Sequence, residues 1–108
     1  MSIDVKPQTF VIADRVQFEK AIRNILSNAI RYANSQIKIY GDAKSLSIWD
    51  DGDGISEDNL KHLFERFYTG KGGNTGIGMS LTKEIVEQHG WRIKALNANN
   101  GVLFEIMM

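Results

Sequence analysis

Apolar residues recur at helical spacing along one long stretch of the chain: Phe18, Ala21, Ile22, Ile25, Leu26, Ala29, Ile30 and Ala33. Steps of three and four place them on one face of a helix. Asp14 stands where it can cap the start of that helix, and Asn34 and Ser35 end it. Elsewhere the period is two. Gln36-Ile37-Lys38-Ile39-Tyr40 and Ser45-Leu46-Ser47-Ile48-Trp49 both alternate, with Gly41-Asp42-Ala43-Lys44 between them as the turn of a hairpin. Thr9–Ile12 is short and β-prone and predicts a first strand. Arg92–Leu96 and Val102–Met107 predict two more, separated by the turn signal Asn99-Asn100-Gly101. Ser56, with Glu57 and Asp58 behind it, predicts a short helix reaching about Phe64. Met79–His89 predicts another, with Leu81, Ile85 and Val86 on its apolar side and Gly90 as its stop. Thr69–Thr75 contains three glycines and reads as a loop. Strands early, in the middle and late, separated by three helices, predict a mixed sheet with helices on one face, a two-layer α/β sandwich.

Composition narrows the classes of function. The 108 residues fit one domain, residues 1–108. Thirteen basic residues balance thirteen acidic ones, so no net field draws the chain to nucleic acid or to an anionic membrane. No cysteine is present, which removes disulfides, thiol nucleophiles and thiolate metal sites. No apolar run approaches the roughly 20 residues that span a bilayer. Met1–Lys6 lacks a signal-peptide core. The chain starts abruptly near a probable strand, and the expectation is a fragment of a longer protein.

Three features carry candidate chemistry. Asn24 and Asn28 share one face of the long helix, beside its apolar stripe. Their carboxamide oxygens suit a hard cation, although asparagines on a helix more often simply face solvent. Asp50-Asp51-Gly52-Asp53-Gly54 follows a strand. Its glycines let backbone approach a ligand closely, and Asp50 is placed to accept a hydrogen bond from an exocyclic amine. A plain acidic turn is the competing reading. Gly76-Ile77-Gly78 opens a helix, where backbone N–H groups and the helix dipole suit a phosphate; an ordinary flexible helix start is the alternative. Phe64 and Phe67 are expected to anchor the core. His62 reads as a surface residue and His89 as a helix-end residue favoured by the dipole.

The order of these features resembles the ATP-binding domain of bacterial sensor histidine kinases, within the superfamily shared with gyrase, the ninety-kilodalton heat-shock chaperone and mismatch-repair ATPases. Asn24-Ile25-Leu26-Ser27-Asn28-Ala29-Ile30-Arg31-Tyr32 resembles the family's N box, and Asp50–Gly54 its first glycine box. Phe64–Phe67 resembles the F box, and Thr75-Gly76-Ile77-Gly78-Met79-Ser80-Leu81 the second glycine box. The resemblance runs from about Phe10 to Ile106. It implies an α+β, Bergerat-type fold: a mixed, mostly antiparallel sheet of about five strands with three helices on one face.

The resemblance also implies roles. Asn28 would hold Mg²⁺, with Asn24 assisting near the phosphates, and these two would be the catalytic pair. Arg31 would offer charge to the phosphates, and Tyr32 would stack near the adenine. Asp50 would accept the adenine amine, with Gly52 and Gly54 letting the base approach and Ile55 beside them. Gly76 and Gly78 would let a lid close over the triphosphate, with Thr75, Ile77 and Met79 completing the contacts. Gyrase-type relatives place a Glu four residues before the metal-binding Asn. Asn24 stands there in this chain and cannot take a proton, so ATP would be spared from hydrolysis. The family's phosphoacceptor His lies on a separate helical hairpin, and neither His62 nor His89 has that context. The implied partners are therefore that phosphoacceptor and dimerisation domain and a response regulator, with no nucleic acid and no direct membrane contact, in the cytoplasm. Departures are Thr69 where Arg is frequent, with Lys71 as the candidate substitute, Asn74 and Trp91 where glycines are common, and a short lid. A serine kinase of the anti-sigma type and a non-catalytic ATP-sensing module share the same boxes.

Overall fold

The N-cap at Asp14 starts the first long helix. Its backbone is extended and its side chain accepts the Gln17 N–H at 3.0 Å. The computed structural model describes residues 1–5, 13–65 and 78–108. Within them α1 spans Arg15–Tyr32 and buries Ala21, Ile25 and Ala29, the centre of the expected stripe. Replacing Asp14 by Ala leaves the Gln17 N–H without its cap. The expected cost is about 1 kcal/mol of stability, read as a lower urea midpoint; an unchanged midpoint would show that the cap contributes nothing.

The remaining elements are β1 (Ser2–Val5), β2 (Ile37–Gly41), β3 (Ser45–Asp50), α2 (Glu57–His62), α3 (Gly78–Gln88), β4 (Arg92–Ala98) and β5 (Gly101–Met107). The strands form one sheet in the order β1-β2-β3-β5-β4. β1 runs parallel to β2 and the other three pairs are antiparallel, so the sheet is mixed and mostly antiparallel as expected. The expected strand at Thr9–Ile12 and the expected loop at Thr69–Thr75 lie outside the described residues. β1 was not anticipated. It forms an edge, and Ile3 is 65% exposed on it.

The alternation of β2, β3 and β5 sorts the two faces of the sheet. Ile37, Ile48, Val102, Phe104 and Ile106 face the helices and close a core with Ile25 and Ala29 of α1 and Val86 of α3. Ile48 pairs with Phe104, and Asp50 pairs with Val102. The other face is built from cross-strand polar pairs. Lys38 lies 5.3 Å from the Trp49 ring centroid, and Glu105 meets Ser47 at 3.4 Å and Lys94 at 3.3 Å. Ser56 caps α2 by accepting the Asn59 N–H at 3.1 Å. Phe64 then stands edge-on to Phe104 at 6.4 Å, the core anchor expected of it. Phe67 lies outside the described residues. Asn99 and Asn100 both have positive φ, 51° and 60°, the backbone of a type I′ hairpin turn. No helix among the described residues is long and apolar enough to cross a membrane.

His89 does more than end α3. Its Nε2 accepts the Asp14 backbone N–H at 2.9 Å, while its Nδ1 lies 2.8 Å from the Ile85 carbonyl. A carbonyl only accepts, so the ring proton sits on Nδ1. The imidazole stacks on Trp91 at 4.8 Å, and Trp91 meets Phe18 edge-on at 5.6 Å. Trp91 thus joins His89 in tying the start of α1 to the end of α3.

Candidate functional site

β3 ends on a buried carboxylate. Ile48 and Asp50 share the inner face by alternation, and Asp50 is 1% exposed. Its Oδ1 accepts the Gly52 N–H at 2.8 Å. Burial pushes the Asp50 carboxyl above the ordinary Asp value; the Gly52 N–H works against that shift, and the neighbouring Asp51 charge adds to it. Gly52 is glycine for a steric reason. A Cβ there would stand 2.6 Å from the Tyr32 carbonyl oxygen and 2.7 Å from Asp50 Oδ1.

Asp51 faces the other way. Its Oδ1 accepts the backbone N–H groups of Asn34, Ser35 and Gln36, each at 2.9 Å, and its Oδ2 accepts the Ser35 hydroxyl at 2.7 Å. Asn34 returns the contact, donating from Nδ2 to the Asp51 carbonyl at 2.9 Å and to Asp53 Oδ1 at 3.2 Å. The Gln36 and Ser35 donors, aided by Asn34, hold the Asp51 carboxyl well below the usual carboxylate range. A depressed folded-state value means that this clasp is intact above the ordinary Asp pKa and is lost only as the pH falls through the lower folded value. The clasp fastens the end of α1 to the loop after β3. Two adjacent aspartates therefore have opposite tasks, a distinction the sequence pattern did not draw. The Asn34-Ser35 stretch just past the helix, whose backbone N–H groups need partners outside it, was the available signal.

Asn24 and Asn28 sit half-buried on the side of α1 that meets α3. Asn24 Nδ2 donates to the Gly78 carbonyl at 3.2 Å, and the Thr82 hydroxyl donates to the same oxygen at 2.7 Å. The amide face of α1 is thereby held against the first turn of α3. Among the described residues, nothing bonds the Asn28 carboxamide. A Cβ at Gly78 would meet Asn24 Cγ at an ordinary 3.9 Å, so packing here does not demand glycine. Arg31 and Tyr32 are exposed at the end of α1, and the Tyr32 backbone touches the Gly52 position. Ile55 and Met79 pack against the core from the two sides of the site. The structure brings Asn24 to Gly78, and Tyr32 to Gly52 and Asp50. Lys71, Thr75, Gly76 and Ile77 lie outside the described residues. Asn97 on β4 also reaches the loop, bonding the backbone of Ile55, and nothing in the sequence had singled it out.

Comparison with known proteins agrees with this geometry. The family described as Histidine kinase-, DNA gyrase B-, and HSP90-like ATPase matches residues 13–107. The chain is 37% identical over 108 residues to Sensor histidine kinase CssS of Bacillus subtilis (strain 168), covering 96% of this chain and 24% of that protein. It is 36% identical over 95 residues to Sensor histidine kinase YkoH of the same organism, covering 79% of this chain and 21% of that protein. It thus spans about a quarter of the length of these curated relatives. Among solved structures, the catalytic domain of histidine kinase ThkA superposes with a TM-score of 0.88 at 31% identity, covering 97% of this chain and 74% of that one. Mycobacterial sensor histidine kinase MprB superposes with a TM-score of 0.78 at 25% identity, covering 99% of this chain and 80% of that one. With a buried aspartate under a glycine loop and an amide face set against the glycine start of α3, the chain belongs to the histidine kinase-, DNA gyrase B- and HSP90-like ATPase family and has the fold of the histidine kinase catalytic domains.

Proposed function

We propose that this domain binds Mg-ATP and donates the γ-phosphate to a histidine on a separate phosphoacceptor and dimerisation domain of a sensor kinase, in the cytoplasm, for onward transfer to a response regulator. The observation that supports this most is Asp50. It is a carboxylate almost wholly buried at the foot of a glycine loop, with the Gly52 N–H bonded to one oxygen. A buried carboxylate gains from each further donor that reaches it. The adenine amine is such a donor. A guanine carbonyl in the same place is not, which accounts for preference for ATP.

The rest of the site supports the phosphate end. The half-buried carboxamide of Asn28, which no other described residue bonds, is a hard oxygen donor that fits Mg²⁺, an ion that keeps most of its ligands as water and phosphate. When bound, Mg²⁺ would neutralise charge on the phosphates. Arg31 adds positive charge nearby, Tyr32 offers an aromatic face to the base, and the α3 start presents the positive end of a helix dipole. The chain's contribution to transfer is positioning and charge compensation. Asn24 takes no proton, and its Nδ2 is already committed to the Gly78 carbonyl. Water is therefore not activated at that position, and ATP is kept for a nucleophile brought by the partner.

Mixing the domain with the phosphoacceptor hairpin of a sensor histidine kinase and γ-labelled ATP tests the proposal. The expected result is acid-labile, base-stable label on the hairpin histidine. Label on serine would move the domain to the anti-sigma class. Bound ATP without transfer would make it a nucleotide-sensing module, and steady phosphate release would return it to the gyrase type.

A further inference from the structure

The loop after β3 is fastened at two points. At its start, Asp51 clasps residues 34–36. At its end, the Ile55 N–H donates to Asn97 Oδ1 at 2.8 Å, and Asn97 Nδ2 donates to the Ile55 carbonyl at 2.6 Å. One carboxamide thus satisfies both backbone groups of one residue, as the facing residue of a neighbouring strand would. It adds a rung beside β4 where no strand exists. Gly54, between the two anchors, has φ +93°, and a Cβ on it would lie 3.2 Å from Asn97 Oδ1. Side chain and loop are therefore in contact over two consecutive residues, and the loop cannot move toward β4.

Asn97 is exposed, so its two bonds replace bonds to water and contribute little to global stability. What they fix is position. Between the anchors lie Gly52, Asp53 and Gly54, the stretch over which a base would have to approach Asp50 closely. A loop free to drift would have to be ordered on binding, at a cost in affinity; a loop already held does not incur it.

We infer that Asn97 is a positioning residue for nucleotide recognition: through its paired bonds to Ile55 it holds the Gly52–Ile55 loop at the height the purine requires, without touching the ligand. This rests on the ATP-binding reading of the Asp50 site. Asn97→Ala removes both bonds. Asn97→Asp keeps an acceptor for the Ile55 N–H but sets a second acceptor against the Ile55 carbonyl, a repulsion relieved when the carboxyl is protonated.

The test is calorimetric titration of wild type, Asn97→Ala and Asn97→Asp with a non-hydrolysable Mg-ATP analogue at pH 8 and pH 5, with melting curves of the ligand-free proteins. Asn97→Ala is expected to bind about tenfold more weakly than wild type while melting close to it. Asn97→Asp, whose exposed carboxyl is ionised at both pH values, is expected to bind more weakly than wild type at both. Each variant is compared with wild type at the same pH, because Asp50 itself titrates. Equal affinity of Asn97→Ala and wild type would overturn the inference. So would wild-type affinity of Asn97→Asp at both pH values, which also decides the matter if Asn97→Ala does not fold. No binding by wild type would instead overturn the ATP reading, and this inference with it.

Discussion

Asp50→Asn is expected to weaken Mg-ATP binding at least tenfold while leaving the ligand-free domain at least as stable as wild type at neutral pH. The two halves have one cause. Asp50 is almost wholly buried, and its Oδ1 accepts the Gly52 N–H. An asparagine of the same shape still accepts that N–H through Oδ1. It replaces Oδ2 by an amide, a donor that would face the adenine amine, itself a donor. Losing a hydrogen bond to a charged group costs roughly 1.5–3 kcal/mol, and opposing donors add to it, so affinity should fall at least tenfold and by as much as several hundredfold. Stability moves the other way. Burial raises the Asp50 carboxyl, so the folded state holds its proton more tightly than the unfolded chain does. Below the unfolded value this costs nothing. As the pH rises through the unfolded and then the folded value, the ionised group increasingly penalises the native state. The neutral amide lacks that penalty, so the melting advantage of Asp50→Asn should be small near pH 4 and grow toward pH 7. Calorimetry and melting curves over that range check both halves. Undiminished binding would remove Asp50 from the base site, and a lower melting temperature at pH 7 would show that the carboxylate has a stabilising partner.

Such a trade of stability for binding at one residue was only half visible in the sequence. The helix α1 was legible because its signal is local: a stripe from Phe18 to Ala33 with Asp14 in front of it. The β2–β3 and β4–β5 hairpins were legible for the same reason, each with alternation on both sides of a turn. β1 was not. Four residues, Ser2–Val5, carry too short a pattern, and their strand exists through parallel pairing with β2, on the far side of α1. The site divides along the same line. Asp50 was found because a strand and two glycines frame it. The roles of Asp51, Asn97 and His89 were not found, because each depends on a partner brought near by the fold: residues 34–36, Ile55 and Asp14. An aspartate or asparagine outside a motif looks like any surface residue until its partner is in place.

Gly101 shows the same dependence at its most costly, and Gly101→Ala is expected to be the most destabilising conservative substitution among the described glycines. In the sequence it is the last residue of a turn signal, Asn99-Asn100-Gly101, and flexibility would explain it. Its φ is not positive, so flexibility is not the reason. A Cβ on Gly101 would overlap the carbonyl oxygen of Asp50 and stand 2.8 Å from Trp49 Nε1 and 2.9 Å from Cε2. Neither neighbour can give way cheaply. The Asp50 backbone pairs with Val102 in the β3–β5 ladder, and Trp49 Nε1 donates to the Ala98 carbonyl at 2.8 Å across the turn. The methyl group must part β3 from β5 or displace the indole, an overpacking cost of about 3 kcal/mol or more. That is a large share of the roughly 5–15 kcal/mol that stabilises a domain. Gly90 supplies the contrast. It has φ +79°, yet a Cβ there meets nothing within 4 Å. Gly90→Ala should therefore cost only the left-handed backbone penalty of about 1–2 kcal/mol. Urea unfolding of both variants ranks them. The overlap at Gly101 also bears on the Asp50 main chain, so a folded fraction of Gly101→Ala should bind Mg-ATP less well than Gly90→Ala does. If Gly90→Ala proves the more damaging, backbone strain outweighs close approach here, and the β4–β5 turn is softer than its contacts imply.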